Sequence, residues 1–258
     1  MSIRIDHVVI AGSDLTRLVN AFAAIGLTPD AGGVHSDGQT HNALIGFGDG
    51  SYLELIAPVP GGNAESHEWG EFMRSNAGVC AWAIRSEDIE ANAAEYRARG
   101  IAVSEFIGGG RTRPDGVRLD WIKATLGNET LGALLPFLIQ DVTSRENRVP
   151  HTASVIGIIG VREVLAHVSV PLVQEWQDID LKLPIYTESV DHLQPVVHPY
   201  RSNGMRQGVY GVVLSVADTT AAQQRYEWDN NTFRVWRDQN SFWPDMGGIV
   251  LAITGESV

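Results

Sequence analysis

Apolar runs and amphipathic segments divide the first part of the chain into two similar units. Residues 3–10 form a β-branched apolar run, which is the pattern of a strand. Ser13 is predicted to cap a helix with apolar residues at helical spacing, and Gly26 ends that helix. The pattern then predicts strands at 42–47 and 52–57, joined by a tight glycine-containing turn.

The second unit repeats this order with different residues. A strand is predicted at 79–84, followed by a helix that Ser86 caps and Gly100 ends. Further strands are predicted at 117–125 and 133–139. Because a short extended piece also follows each helix, at 27–29 and at 101–106, both units have the order β-α-β-β-β.

This repeat predicts an α+β fold with tandem modules at about 1–58 and 77–140. A polar stretch at 140–152 is interpreted as the boundary of the paired modules. Residues 153–258 are less regular and are interpreted as a C-terminal α+β extension, with a diverged third module as the alternative.

Composition narrows the class of protein. The formal net charge of −12 argues against nucleic-acid binding, which needs a basic face. No apolar run approaches the roughly 20 residues that span a bilayer, and no signal-peptide pattern opens the chain. The single cysteine, Cys80, excludes an internal disulfide and a cysteine-rich metal site. We therefore expect a cytoplasmic protein.

His7 and Glu54 are the first candidates for chemistry. Both are polar residues inside strands that otherwise have the pattern of buried strands. A carboxylate in such a place needs a cation, a metal ion or a shifted pKa. Imidazole and carboxylate together suit Fe, Mn, Ni or Zn as a divalent ion. The alternative is a buried hydrogen bond between the two side chains without a metal.

Three neighbouring polar residues extend this candidate site. His41 begins the strand expected to form a hairpin with the Glu54 strand, and His35 lies in a glycine-rich loop. Either histidine is a candidate to complete a metal shell or to handle a proton, and the alternative is a histidine bonded only to backbone. Asn42 either orients a substrate oxygen or caps its strand.

Candidate substrate-binding residues come mainly from the second unit. Arg113 belongs to an arginine cluster around the turn at 114–116, which either grips an anion or is a solvated hairpin tip with acidic neighbours. Trp82, Trp121 and Phe137 either line an apolar pocket or are core residues. A pocket of this kind suits an aromatic or anionic small molecule.

Several stretches in order resemble the vicinal oxygen chelate superfamily, and most closely its glyoxalase-like branch. The stretches are Ile5-Asp6-His7-Val8-Val9, Gly32-Gly33-Val34-His35, Thr40-His41-Asn42-Ala43-Leu44, Tyr52-Leu53-Glu54-Leu55-Ile56-Ala57-Pro58, Arg113-Pro114-Asp115-Gly116 and Leu134-Leu135-Pro136-Phe137-Leu138-Ile139. The superfamily includes glyoxalase I, bleomycin resistance proteins and extradiol dioxygenases. The resemblance covers about the first 140 residues.

The resemblance implies paired modules that form a cupped mixed sheet around a divalent metal ion. It also implies that the first and last strands of a module each supply one ligand, and His7 and Glu54 stand at those places. The second module departs from this pattern, with Ala81 or Trp82 and Phe137 at the matching positions. Either another histidine completes the shell or the metal has been lost, and the expected ligands are His7 and Glu54 with His41 to complete the shell.

The expected function is that of a metal-dependent isomerase or lyase, acting on a small organic substrate with adjacent oxygens through a metal-stabilised enolate or oxyanion. Glu54 would be a ligand and the proton-transfer base, with His41 or His35 assisting. An Fe(II) ring-cleaving dioxygenase is one alternative. A metal-free protein that sequesters a drug-like molecule is the other. The expected partners are a small-molecule substrate and a second copy of the chain in a homodimer, with no nucleic acid and no membrane.

Overall fold

A computed structural model describes residues 3–128, 130–150, 157–178, 182–189, 207–225, 233–235, 241–244 and 250–255. The first module comprises β1 (Ile5–Ala11), α1 (Leu15–Ala24), β2 (Asp30–His35), β3 (Thr40–Gly46) and β4 (Tyr52–Pro58). A short helix, α2 (Gly70–Arg74), follows it. The second module comprises β5 (Gly78–Arg85), α3 (Ile89–Ala98), β6 (Ile107–Thr112), β7 (Arg118–Thr125) and β8 (Phe137–Asp141).

The eight strands of these two modules close into a barrel in the order β1-β4-β3-β2-β6-β7-β8-β5. In each module the first strand pairs in parallel with the last, β1 with β4 and β5 with β8. The modules join through antiparallel pairs, β1 with β5 and β2 with β6. The α+β fold of tandem β-α-β-β-β modules is confirmed, and the cupped sheet is closed rather than open.

Two details of the predicted elements were wrong. The extended pieces at 27–29 and 101–106 precede the second strands instead of forming them, and Val103 makes only an isolated bridge. The helix caps are Asp14 and Asp88, whose carboxylates accept backbone N–H bonds of the first turn. An ionised carboxylate is a stronger acceptor for these N–H groups than a serine hydroxyl.

The matched caps fix how the two modules correspond. Counting from Asp14 and Asp88, Val9 corresponds to Ala83, and these two pair with Glu54 and Phe137. Phe137 therefore stands at the position of Glu54. The same count places Ala81 at the position of His7.

Trp82 lies in the core instead of lining a substrate pocket. Its side chain is fully buried among residues of the outer barrel face, and its indole N–H donates to the Leu134 carbonyl at 2.8 Å. Successive strand residues face opposite sides, so Ala81 and Ala83 face inward and Trp82 faces outward. This corrects its assignment as a substrate-binding residue.

The rest of the chain packs a second sheet against the barrel. Its elements are α4 (Arg145–Arg148), β9 (Ile158–Val168), α5 (Val170–Asp178), β10 (Ile185–Ser189), β11 (Gly208–Val216), α6 (Thr219–Arg225), β12 (Phe233–Val235), β13 (Ser241–Pro244) and β14 (Val250–Gly255). The sheet order is β10-β9-β11-β14-β13-β12. From β11 to β14 the elements follow the order β-α-β-β-β, with β11 and β14 parallel.

Residues near the end of the first module attach this sheet to the barrel. The Asp49 N–H donates to the Ile159 carbonyl at 3.1 Å, and the Ser51 hydroxyl accepts from the Val161 N–H at 2.8 Å. The assignment of residues 153–258 as an extension or diverged module stays a prediction. Within the described residues, no helix has the length and apolar character needed to cross a membrane.

We expect Trp82→Ala to lower the free energy of unfolding by about 3–5 kcal/mol, because it leaves a cavity and an unpaired carbonyl in the core. Urea denaturation measures this change. Trp121→Ala is the matched control, since Trp121 is only partly buried, and it should cost clearly less. Equal losses for the two variants would contradict the placement of Trp82 in the core.

Candidate active site

A cavity of about 200 Å³ lies inside the barrel, between the two modules. The first module supplies its polar side, with His7, His35, Asn42 and Glu54 among the lining residues. The second module supplies a mostly non-ionisable side that includes glycines 108–110, Trp121 and Phe137. The cavity thus has chemically different halves.

Glu54 is the centre of the polar half. One carboxylate oxygen, Oε2, lies 3.5 Å from His7 Nε2, and the other, Oε1, lies 3.3 Å from His35 Nε2. The Asn42 amide donates to Oε1 at 2.7 Å. Burial alone would raise the pKa of Glu54, but the hydrogen bonds and charges of these neighbours outweigh it and hold the pKa well below its usual range. Glu54 is therefore ionised.

Both histidines are held by their other ring nitrogen. His7 Nδ1 lies 2.7 Å from Asp6 Oδ1, and His35 Nδ1 lies 2.8 Å from the Thr40 hydroxyl. Because an ionised carboxylate only accepts, Nδ1 of His7 is the donor to Asp6, and the Nε2 atom of the ring faces Glu54. Oxygen atoms that fix a histidine in this way are the usual second shell of a metal ligand.

A β-bulge brings Asp6 and His7 together. Adjacent strand residues normally point to opposite faces, but the pairing of β1 with β5 shifts register between Ile5 and His7. Asp6 is fully buried there and binds Arg148 Nη2 at 3.0 Å and Arg145 Nη1 at 2.5 Å. Although burial would raise the pKa of Asp6, Arg148, His7 and Arg145 keep it far below its usual range.

Arg148 connects this buried pair to the cavity wall. Its guanidinium also binds Asp141, and it donates to the Tyr52 hydroxyl at 2.6 Å. The Tyr52 ring stacks on the His7 ring with centroids 4.6 Å apart and planes at 15°. One arginine therefore positions His7 through both its carboxylate partner and its stacking partner.

The predicted site residues divide into two groups. Six of them line the cavity, namely His7, His35, Asn42, Glu54, Trp121 and Phe137. Trp82, as described above, does not. Neither do His41 and Arg113.

His41 lies on the other face of β3 from Asn42, because neighbouring strand residues alternate. It lies near α1, where burial lowers its pKa and Asp14 partly opposes that effect. His35, not His41, is therefore the second histidine beside Glu54. Arg113 lies at the hairpin tip, where it binds Asp115 at 2.6 Å, so it corresponds to the solvated alternative.

Three residues of the site were missed by the sequence reasoning. The sequence could have indicated Asp6, because it is a second ionisable residue next to His7 inside an apolar strand. It indicated Tyr52 more weakly, because Tyr52 shares a strand face with Glu54. It did not indicate Arg148, since Arg148 falls in the polar stretch interpreted as a boundary, where the structure has α4.

The donor set suits a divalent ion, although the shell is not complete. Two imidazole Nε2 atoms and one carboxylate match the preferences of Fe, Mn, Ni or Zn. Ligands about 2.1 Å from a tetrahedral ion lie about 3.4 Å apart, close to the two Nε2–oxygen distances given above. In the described part of the chain, however, no group of three or more His, Cys, Asp or Glu side chains is arranged so that it could hold a metal ion as the side chains stand. The second module adds Ala81 and Phe137 where further ligands would stand.

Comparison with protein families decides the relationship. The model of the glyoxalase-like domain matches residues 5–179, which is more than half of the chain. The chain belongs to the glyoxalase-like domain family. This confirms the resemblance to the vicinal oxygen chelate superfamily. A search of curated proteins found no match.

Solved structures share the fold of this glyoxalase-like protein along nearly its whole length. A hypothetical protein from Staphylococcus aureus is 14% identical with a TM-score of 0.58, covering 98% of this chain and 99% of that one. A 2,2',3-trihydroxybiphenyl 1,2-dioxygenase from Sphingomonas wittichii strain RW1 is 12% identical with a TM-score of 0.51, covering 98% and 90%. A xylose isomerase-like TIM barrel/4-hydroxyphenylpyruvate dioxygenase fusion protein is 12% identical with a TM-score of 0.56, covering 98% and 49%. At these identities the likeness shows the fold alone.

We expect Arg148→Met to destabilise this glyoxalase-like protein by about 3–5 kcal/mol, because it leaves Asp6 buried with weaker compensation. Arg118→Met is the matched control, since Arg118 is exposed and pairs only with Asp120. Its cost should stay within about 1 kcal/mol. Chemical denaturation at neutral pH measures both, and a tolerated Arg148→Met would refute the structural role of the buried pair.

Proposed function

We propose that this protein is a divalent-metal-dependent enzyme that acts on a small organic substrate with adjacent oxygen atoms. One observation carries the proposal. The Nε2 atoms of His7 and His35 face opposite oxygens of the ionised Glu54, while their Nδ1 atoms are bonded to Asp6 and Thr40. Membership of the vicinal oxygen chelate superfamily supports the same reading.

His7, His35 and Glu54 would hold the ion. A bound divalent ion would supply Lewis-acid stabilisation of negative charge on a substrate oxygen. Asn42 fixes the carboxylate by binding Oε1, which leaves Oε2 as the oxygen able to accept a substrate proton. Removal of a proton next to a carbonyl, followed by its return or by loss of a leaving group, is isomerase or lyase chemistry.

The cavity favours a small substrate. Its volume of about 200 Å³ is below the roughly 300–1,000 Å³ typical of sites for drug-sized ligands. Trp69, Trp121 and Phe137 also line the cavity. The Phe137 ring lies edge-on to His7 and the Trp121 ring edge-on to His35, with centroids 5.4 Å and 6.2 Å apart, so a substrate beside the polar cluster meets aromatic surface. This size disfavours sequestration of a bulky drug.

The donor set also supports a second candidate, an Fe(II) ring-cleaving dioxygenase. Two histidines and one carboxylate with open positions are the ligand set of many non-haem Fe(II) oxygenases. The bound metal and the cosubstrate distinguish the two candidates. Iron with oxygen consumption favours the dioxygenase, whereas exchange of substrate C–H for deuterium without oxygen favours the isomerase or lyase.

The metal content of untagged protein tests the proposal. We expect near-stoichiometric transition metal after incubation with Fe(II), Mn(II), Ni(II) or Zn(II), measured by elemental mass spectrometry. His7→Ala, His35→Ala and Glu54→Gln should each lower metal affinity at least about tenfold, as loss of a ligand does. His41→Ala is the matched control, because His41 lies on the opposite face of the adjacent strand, and it should bind metal like the wild type.

The same measurement can overturn the proposal. Wild-type protein that binds none of the four ions, or variants that bind as the wild type does, would leave a buried histidine–carboxylate cluster without a metal role. The remaining hypothesis would then be a metal-free binding protein.

A further inference from the structure

We propose that Arg111 anchors a carboxylate of the substrate, so that the substrate is a small organic anion with an oxygen function next to its carboxylate. This inference rests on the proposed function, because it names the substrate class of the same site. It concerns a residue that neither the family match nor the metal-ligand pattern assigns.

Arg111 lies deep in the site. It belongs to β6, where it pairs directly with His35 of β2 at the junction of the two modules. Residues paired directly across antiparallel strands lie on the same face, about 4.5–5.5 Å apart. The Arg111 side chain is buried, with only 3% of the residue exposed, and it lines the same cavity as Glu54.

The guanidinium of Arg111 lacks the partner that buried arginines normally have. It donates to the Gly32 carbonyl and to the Arg148 carbonyl, which are both neutral acceptors. Among the described residues, no carboxylate oxygen lies within the 4.0 Å of an ion pair. Since a guanidinium carries more N–H donors than these two bonds use, donors remain for a ligand.

The pairing of charges around the cavity points to an anion. Its charged lining side chains are Arg111, Lys123 and Arg148 against Asp37, Glu54 and Glu68. Lys123 is paired with Glu68, and Arg148 is paired with Asp6 and Asp141, so among the described lining cations Arg111 is the one without an ion-pair partner. Burial lowers the pKa of Arg111, and Tyr52 and Glu54 oppose part of that effect. A divalent ion at Glu54 would add two positive charges, and a substrate carboxylate would supply the partner that Arg111 lacks.

The local backbone keeps this place open. A side chain at Gly32 would collide with Asn42 and with the Arg111 guanidinium, and one at Gly109 would collide with the Trp121 ring. Glycine at these two positions thus leaves Arg111 and Asn42 on one wall of the cavity and Trp121 flat against another. Because Arg111 and His35 are direct neighbours, a carboxylate at Arg111 lies beside an oxygen held near Glu54.

Titration calorimetry with matched probes tests this inference. The probes are glycolate and 2-oxobutyrate, each compared with its neutral methyl ester, on metal-loaded and on chelator-treated protein. We expect the carboxylates to bind at least about tenfold more tightly than the esters. Arg111→Gln should remove most of that difference, because a charge-assisted bidentate contact is lost. Arg113→Gln, which alters a nearby half-buried arginine that is paired with Asp115, should leave it unchanged.

The outcomes separate this inference from the proposed function. Arg111→Gln protein that keeps its metal and loses carboxylate affinity supports both. Protein that binds no metal but still binds carboxylates through Arg111 contradicts only the proposed function. Esters that bind as well as acids, no binding of either probe, or unchanged binding by Arg111→Gln overturns the inference. If Arg111→Gln does not fold, Arg111→Lys must retain a weakened preference for the acids, and an unchanged preference overturns it.

Discussion

The buried carboxylate of Asp6 is the constraint on which the site depends. A carboxylate without solvent is tolerated only beside positive charge, and its nearest cations, Arg145 and Arg148, come from α4, which follows the second module. The first strand of the barrel is therefore fixed to a helix far away in sequence. The same carboxylate accepts from Nδ1 of His7 and orients its ring, while Arg148 also holds the tyrosine that stacks on it. Stability and site geometry consequently share one set of contacts.

The two modules have the same topology and different chemistry. The first supplies ionisable groups around Glu54, whereas the second supplies Ala81, Phe137 and a glycine-rich strand at the corresponding or facing positions. A side chain without donor atoms cannot complete a metal shell, but it leaves room for a substrate. Because the second module lacks these ligands, the proposed metal site would use His35 in place of a ligand from the second module. Arg111, on the facing strand, then provides the charge that the aromatic wall lacks.

The modules could be predicted from the sequence because strand and helix periodicities are local, and so could His7 and Glu54, which interrupt apolar strands. Closure of the barrel depends on pairing between distant strands and left no local pattern. His41 and His35 were not separated, because both faces of β3 are covered and its alternation of polarity is weak. The bulge in β2 beside Gly33, which brings His35 opposite Thr40, could not be predicted from the sequence either. Arg148 is buried because it pairs with the buried Asp6, and no local sequence pattern predicts a pair so far apart in the chain.

Anomalous diffraction from crystals grown with Mn(II) or Co(II) tests the metal centre, because it locates the ion independently of any activity. We expect one strong anomalous peak about 2.0–2.3 Å from Nε2 of His7, Nε2 of His35 and a carboxylate oxygen of Glu54. A cavity without a peak, or a peak bound only by surface carboxylates, would contradict a metal centre built from these three residues.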